Sequence, residues 1–214
     1  MDFSKPPHYY DTFALRDAGG DGAIMSTWPF FRNAESRQAV KTLSPVPVQS
    51  CWNGIGKRCT LPFKFVKYEP SSNVSPVAMP AAPFTASFPL RFRGIPDSLA
   101  SSHLEGSECC LIHADNPLST QYGVFMNPRV RVGYSGPAYV AVNPISHWLS
   151  ARTILQGLWI NRLRRWTSTT WLSDKVVQRR IDRWAALSPQ NRETGRFCII
   201  NEMQLLHPNG WYHL

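Results

Sequence analysis

Between His103 and Asp115 the chain reads HLEGSECCLIHAD, setting two histidines, two glutamates, two adjacent cysteines and an aspartate within thirteen residues. These types could ligate a metal, supply a thiol nucleophile or act as acid/base carboxylates. His103, Cys109, Cys110 and His113 are suitable metal ligands. Adjacent cysteines rarely chelate one ion, however, and the usual zinc spacings are missing. A cysteine nucleophile needs a partner histidine and an electropositive pocket, and the sequence specifies neither. Buried or disulfide-bonded cysteines are the better expectation. Glu105 and Glu108 stand three apart and share a helix face if the helix persists across both. A carboxylate at a helix edge beside a pocket can deprotonate a sugar hydroxyl, although a solvated acidic face would use the same residues.

The surrounding segments must position these groups. Asp97 or Ser98 can open a helix that carries Leu99, His103 and Leu104 on one side, with Gly106 ending or weakening it. CCLIHA continues as a helix or as a short buried strand. Upstream, Asn33 or Ser36 caps a helix with Ala39, Val40 and Leu43 on its apolar side. SPVPVQSCW alternates valines with proline and polar residues, the pattern of an edge strand. PLRFRGIP (89–96) is strand-like between two prolines. Downstream, Val130, Val132 and Tyr134 alternate with Arg129, Arg131 and Gly133 as in a half-buried strand. From Asn143-Pro144 the longest helix is expected, with Trp148, Leu155, Leu158, Trp159, Leu163 and Trp166 as packing residues. A second helix from Ser173 or Asp174 carries Val177, Ile181 and Trp184. CIINEMQLL makes a last strand or short helix, and HPNGW a turn. The bottom-up result is a mixed α/β domain.

Eight tryptophans and 43% hydrophobic residues suit a packed core rather than disorder. No run reaches the roughly 18 apolar residues needed to cross a bilayer, and the first residues lack the basic and apolar regions of a signal peptide. The net charge of +9 is uneven: residues 145–214 hold ten basic against four acidic groups. Such a tail could bind nucleic acid, an anionic membrane or a phosphorylated ligand, or simply be a solvated helical face. The five cysteines include no CxxC pair; without Cys59, four remain for two bridges in an oxidising compartment. GxGxxG, P-loop, GxSxG, HExxH and Asp-x-Asp motifs are all missing.

Several long blocks in order, YYDTFALRD (9–17), TWPFFR (27–32), SPVPVQSCWNG (44–54), PLRFRGIPDSLASSHLEGSECCLIHADNP (89–117), NPRVRVGY (127–134) and NEMQLLHPNGW (201–211), resemble the fungal capsule-associated mannosyltransferase family, which includes the cryptococcal α-1,3-mannosyltransferase. The resemblance covers nearly the whole chain apart from residues 56–76. It implies the acceptor-side part of a GT-A-like glycosyltransferase domain over residues 1–144, extended by basic amphipathic helices over 145–214. Such an enzyme transfers mannose from GDP-mannose to a cell-wall or capsule glycan acceptor with a divalent ion, usually Mn²⁺, in the Golgi lumen; nucleic acid is not an expected partner. On that footing Glu108, in GSEC, is the leading acid/base or acceptor-orienting residue, with Glu105 and Asp97 behind it. His113 is the expected metal ligand. Trp52 and Asn53 suit a sugar, offering an apolar face and directional hydrogen bonds. Arg91 and Arg93 could hold phosphate oxygens, or serve in surface ion pairs.

Two departures from the family shape the expectation. Members carry a membrane anchor and a nucleotide-binding half with an acidic metal motif ahead of DFSKPP, the point where Met1 stands here. The alternative reading is therefore a catalytically inactive truncated fragment or a basic binding module, and this polypeptide alone is expected not to transfer mannose. Residues 56–76 interrupt the block that would otherwise join Ile55 to Val77. Gly56-Lys57-Arg58 can be encoded with the GTAAG of a fungal splice site, so this segment reads as a translated intron, with a surface-loop insertion as its rival.

Overall fold

A computed structural model describes residues 1–5, 8–10, 13–22, 27–52, 92–144, 149–168, 170–201, 204–207 and 210–213. Over these residues the protein is mixed α/β, with small and mostly antiparallel sheets. Asn53, Arg91, the 56–76 segment, Cys59 and Trp148 lie outside the described residues.

The largest core cluster gathers around an N-terminal scaffold. Strand β1 (Asp2–Lys5) pairs antiparallel with β2 (His8–Tyr9) and parallel with β7 (Val132–Gly133). A second sheet has the order β3 (Arg16–Asp17), β4 (Val46–Ser50), β6 (Val124–Met126). Phe3, Leu15, Phe30, Phe31, Val46 and Val142, all fully buried, fill the space between these strands and helix α1 (Ala34–Thr42). Asn33 caps α1 as its sequence suggests, accepting from the Glu35 and Ser36 amides at 2.9 and 3.2 Å, which meets two otherwise orphaned donors of the first turn.

Strand β4 departs from the edge expected of it, because it lies between two partners. A proline inside a central strand normally costs a ladder bond. Here the short β3 pairs with Ser50 and Val48 and stops short of Pro47, whose carbonyl accepts from Ser36 Oγ at 2.8 Å. A helix side chain thus replaces part of the ladder. The alternation itself is kept, with Val46, Val48 and Ser50 turned inward.

Strand and helix lengths differ elsewhere. The described end of PLRFRGIP, residues 92–96, carries no regular structure. Helix α2 (Asp97–Ala100) is a single turn that stops before His103, whose φ is +58°. The half-buried strand expected around Val130–Tyr134 shrinks to β7, with Val130 and Tyr134 exposed. Beyond it comes a helix the sequence reading passed over, α5 (Gly136–Val142), started by Ser135 Oγ accepting from the Ala138 amide and by Pro137 in its first turn.

The C-terminal helices are α6 (Ala151–Thr167), capped by Ser150, and α7 (Trp171–Leu187). Helix α7 buries Val177, Ile181 and Trp184 against Leu99, Leu104 and Ile199, the expected residues on the expected face. Helix α6 does the opposite. It buries Gly157 and Asn161 and leaves Leu155, Trp159, Leu163 and Trp166 exposed. Gly157 seats α6 against the Trp28 carbonyl so closely that an added Cβ would lie 2.2 Å from that oxygen. The chain then passes through a 3₁₀ turn (Arg196–Cys198) to β8 (Ile199–Ile200) and a terminal hairpin, β9 (Gln204–His207) with β10 (Gly210–His213).

Candidate functional site

HLEGSECCLIHAD is not one element. Glu105 and Gly106 form a two-residue strand, β5, paired antiparallel with Ile200 and Ile199 of β8. Glu108 opens helix α3 (Glu108–Ala114) with Ser107 as its N-cap residue. The helix that would have placed Glu105 and Glu108 on one face does not persist across both. Gly106 is the physical reason for the break: it gives β5 room beside Ile95 and Leu111, where a Cβ would come within 2.6 Å of Ile95.

Helix α3 turns Cys110, Leu111 and Ile112 inward and leaves Glu108 exposed, with Cys109 and His113 half-buried. Cys109 and His113 stand one turn apart on the same side. Cys109 Sγ lies 3.9 Å from Glu108 Oε1. His113 Nε2 sits 2.9 Å from the Cys51 carbonyl, tying the last turn of α3 to the end of β4. Trp52 follows directly. It is 41% exposed and meets Phe92, 48% exposed, edge-on with ring centroids 5.5 Å apart. An aromatic ledge therefore leaves β4 where His113 anchors α3. Asp97 is exposed at the first position of α2, and Glu105 is half-buried in β5.

Behind α3 the cysteines are structural. Cys110 is bridged to Cys198, 88 residues on, and Cys51 and Cys109 are not in a disulfide. The described cysteines thus make one bridge rather than two. Ser50 Oγ lies 3.0 Å from Cys110 Sγ, so β4 packs on the bridge as well.

Arg93 has a different setting from the phosphate ligand that the sequence suggested. Its Nε and Nη2 donate to Asp115 Oδ2 and Oδ1 at 2.6 and 2.9 Å. Nη1 and Nη2 donate to Glu193 Oε2 and Oε1, both at 2.8 Å. A remaining Nη1 hydrogen faces the Gly94 carbonyl at 3.4 Å. The guanidinium carries five N–H groups, and each is directed at an oxygen. Burial works to lower its pKa, but the hydrogen bonds and charges of Glu193 and Asp115 outweigh burial and raise it above the usual arginine value. The carboxylates are 2% and 1% exposed. The ion-pair alternative for Arg93 is the geometry found, buried rather than at the surface. Asp115 closes the opening stretch and gave a signal that could have been used: a charge that near to an apolar run must be paired if it is buried. Glu193 gave none, since nothing local links it to Arg93.

Among the described residues no group of three or more His, Cys, Asp or Glu is close enough to hold a metal ion. A shallow groove of about 360 Å³ lies elsewhere, between Leu43–Pro45 and Phe125–Asn127, and none of the candidate residues lines it.

Residues 1–115 match the protein family described as cryptococcal mannosyltransferase 1. No curated protein and no solved structure matches the chain. The matched span holds the Arg93–Asp115 pair, the Trp52–Phe92 ledge and Glu108. It stops short of Glu193 and of helices α6 and α7.

Proposed function

This chain belongs to the cryptococcal mannosyltransferase 1 family, and from that premise we propose that it takes part in transferring mannose from GDP-mannose to a glycan acceptor. The carrying observation is the family match itself, which makes this a mannosyltransferase-like domain and runs through the α3 region. The Trp52–Phe92 ledge supports an acceptor role, because an exposed aromatic face suits the apolar face of a sugar ring. Glu108 supports the chemistry as an exposed carboxylate at the start of a helix held rigidly by the Cys110–Cys198 bridge. Transfer forms a bond from the acceptor oxygen to the mannosyl C1 and breaks the bond from C1 to the diphosphate. In this reading Glu108 takes the acceptor hydroxyl proton or orients that hydroxyl. Asp97 and Glu105 are the reserve candidates. The GT-A assignment and a Golgi setting rest on the family alone. Among the described residues no helix is long and apolar enough to cross a membrane.

A second reading, a chain that binds glycan without transferring it, is favoured by the commitment of Arg93 to two carboxylates, which leaves that arginine engaged away from any phosphate. Radiolabelled transfer from GDP-mannose to a mannoside acceptor separates the two. In a chain that also carries the family's nucleotide-binding half, Glu108→Gln should lower kcat roughly 100-fold with unchanged thermal unfolding, since Glu108 is exposed. Undiminished turnover in that variant removes Glu108 from the reaction. Trp52-dependent mannoside binding without any transfer selects the second reading.

A further inference from the structure

Helix α6 exposes a row of large apolar side chains on its outer face. Leu155, Trp159, Leu163 and Trp166 are 59%, 61%, 52% and 72% exposed. Their spacing of four, four and three places them on one helical face, opposite the buried Gly157 and Asn161. The stripe runs about 16 Å along the axis. Its charges are of one sign: ARTILQGLWINRLRRWT holds Arg152, Arg162, Arg164 and Arg165 and no acidic residue. By helical spacing Arg152 and Arg162 fall within the apolar face, and the Arg162 guanidinium stands 5.6 Å from the Trp159 ring and 5.9 Å from the Trp166 ring. The chain continues into Trp171 and Leu172, 55% and 66% exposed, with Lys175 Nζ 3.8 Å over the Trp171 ring.

We propose that this face of α6 is a docking surface for an anionic lipid bilayer, with the helix lying in the plane of the headgroups. Tryptophan and leucine suit the boundary between headgroups and acyl chains, where an indole buries its ring and keeps its N–H wet. The arginines suit the phosphates beside them, and their stems can lie along the tryptophans while the guanidinium groups reach outward. A convex helix side fits a deformable lipid surface without a matching groove. A second copy is the poorer occupant, since two such faces would bring together arginines with no acid between them. The helix lies on the surface and does not span, for no helix among the described residues is long and apolar enough to cross.

The test is binding of the purified full chain to vesicles of phosphatidylcholine containing roughly a third phosphatidylserine, against phosphatidylcholine alone. Brominated lipids in the same vesicles report whether indoles enter the bilayer. The expected result is binding to the anionic vesicles, its loss at high salt, and quenching of tryptophan emission. Trp159→Ala with Trp166→Ala should weaken binding at least about tenfold, and Arg152→Gln with Arg162→Gln about fivefold for each charge removed. Tyr122→Ala with Tyr139→Ala, which remove equally exposed aromatics from α4 (Pro117–Tyr122) and α5, should leave it unchanged. The arginine pair reads the electrostatic contribution even if the tryptophan pair fails to fold. Equal binding to neutral vesicles overturns the proposal, as does binding that both α6 pairs leave intact. A wild-type chain that ignores vesicles and instead forms a dimer abolished by the tryptophan pair also overturns it, in favour of a second copy.

Discussion

Arg93 and the arginines of α6 are the same side chain in opposite circumstances. Arg93 is pinned between Asp115, 22 residues away, and Glu193, 100 residues away, and its guanidinium has all its hydrogens directed at oxygens. The arginines of α6 lie in a helix with no acid of its own, and Arg162 rests beside indole rings in solvent. One arrangement closes a structure and the other presents a surface. What separates them is whether carboxylates arrive from distant parts of the chain, so an arginine's role follows from tertiary contact and not from its neighbours in sequence.

Removing the two kinds of arginine should sharpen that contrast. Arg93→Met leaves two almost fully buried carboxylates without a cation and should cost about 3–5 kcal/mol in denaturant unfolding. Arg93→Lys should rescue only part of this, because an ammonium offers three donors where four short bonds are now made. Next in size is the bridge that ties the 3₁₀ turn following Glu193 to α3. Cys110→Ser with Cys198→Ser opens a loop of 88 residues, and calorimetry should register a loss of roughly 2–4 kcal/mol.

A smaller effect comes from Asp21. Its carboxyl pKa is raised, first by burial and then by the neighbouring Asp17 charge, with Arg32 opposing. The folded state therefore holds the Asp21 proton to higher pH than the unfolded chain does, and a stability cost builds as pH rises through that window. The cost is complete at neutral pH. Asp21→Asn should raise the melting temperature slightly at pH 7, and the gain should vanish below the ordinary carboxyl pKa of 3.8. Smallest of all, Arg162→Ala should move stability by less than about 0.5 kcal/mol in the same denaturant assay. A large loss there would mean that α6 is braced by its arginines and would erase the contrast with Arg93.

Local chemistry made much of this molecule legible. The Asn33 cap, the α7 face of Val177, Ile181 and Trp184, and the inward valines of β4 all follow from patterns within a few residues. The family was also legible: four of the six blocks begin within the matched residues 1–115, while NPRVRVGY and NEMQLLHPNGW lie beyond the match. Long-range facts were less so. The edge assignment of β4 failed because β3 and β6 come from positions on either side of it in the chain. The stripe of α6 read as core because a 3.6-residue period reports a face without saying what covers it. Glu105 and Glu108 separated because a two-residue strand, invisible to any window average, forms only when β8 arrives. Of the candidate site, the aromatic ledge and Glu108 stand exposed, while Arg93 is withdrawn into a buried cluster.

Gly157 has a kinematic consequence. With no side chain at that point, α6 drops onto the Trp28 carbonyl like a shaft located by a keyway. Rotating the helix about its axis to tuck the tryptophans inward would drive Ile154, Leu158 or a bulkier neighbour into that oxygen. The outward orientation of the stripe is therefore fixed from the inside, by the smallest residue of the helix, and does not wait for whatever lies outside to select it.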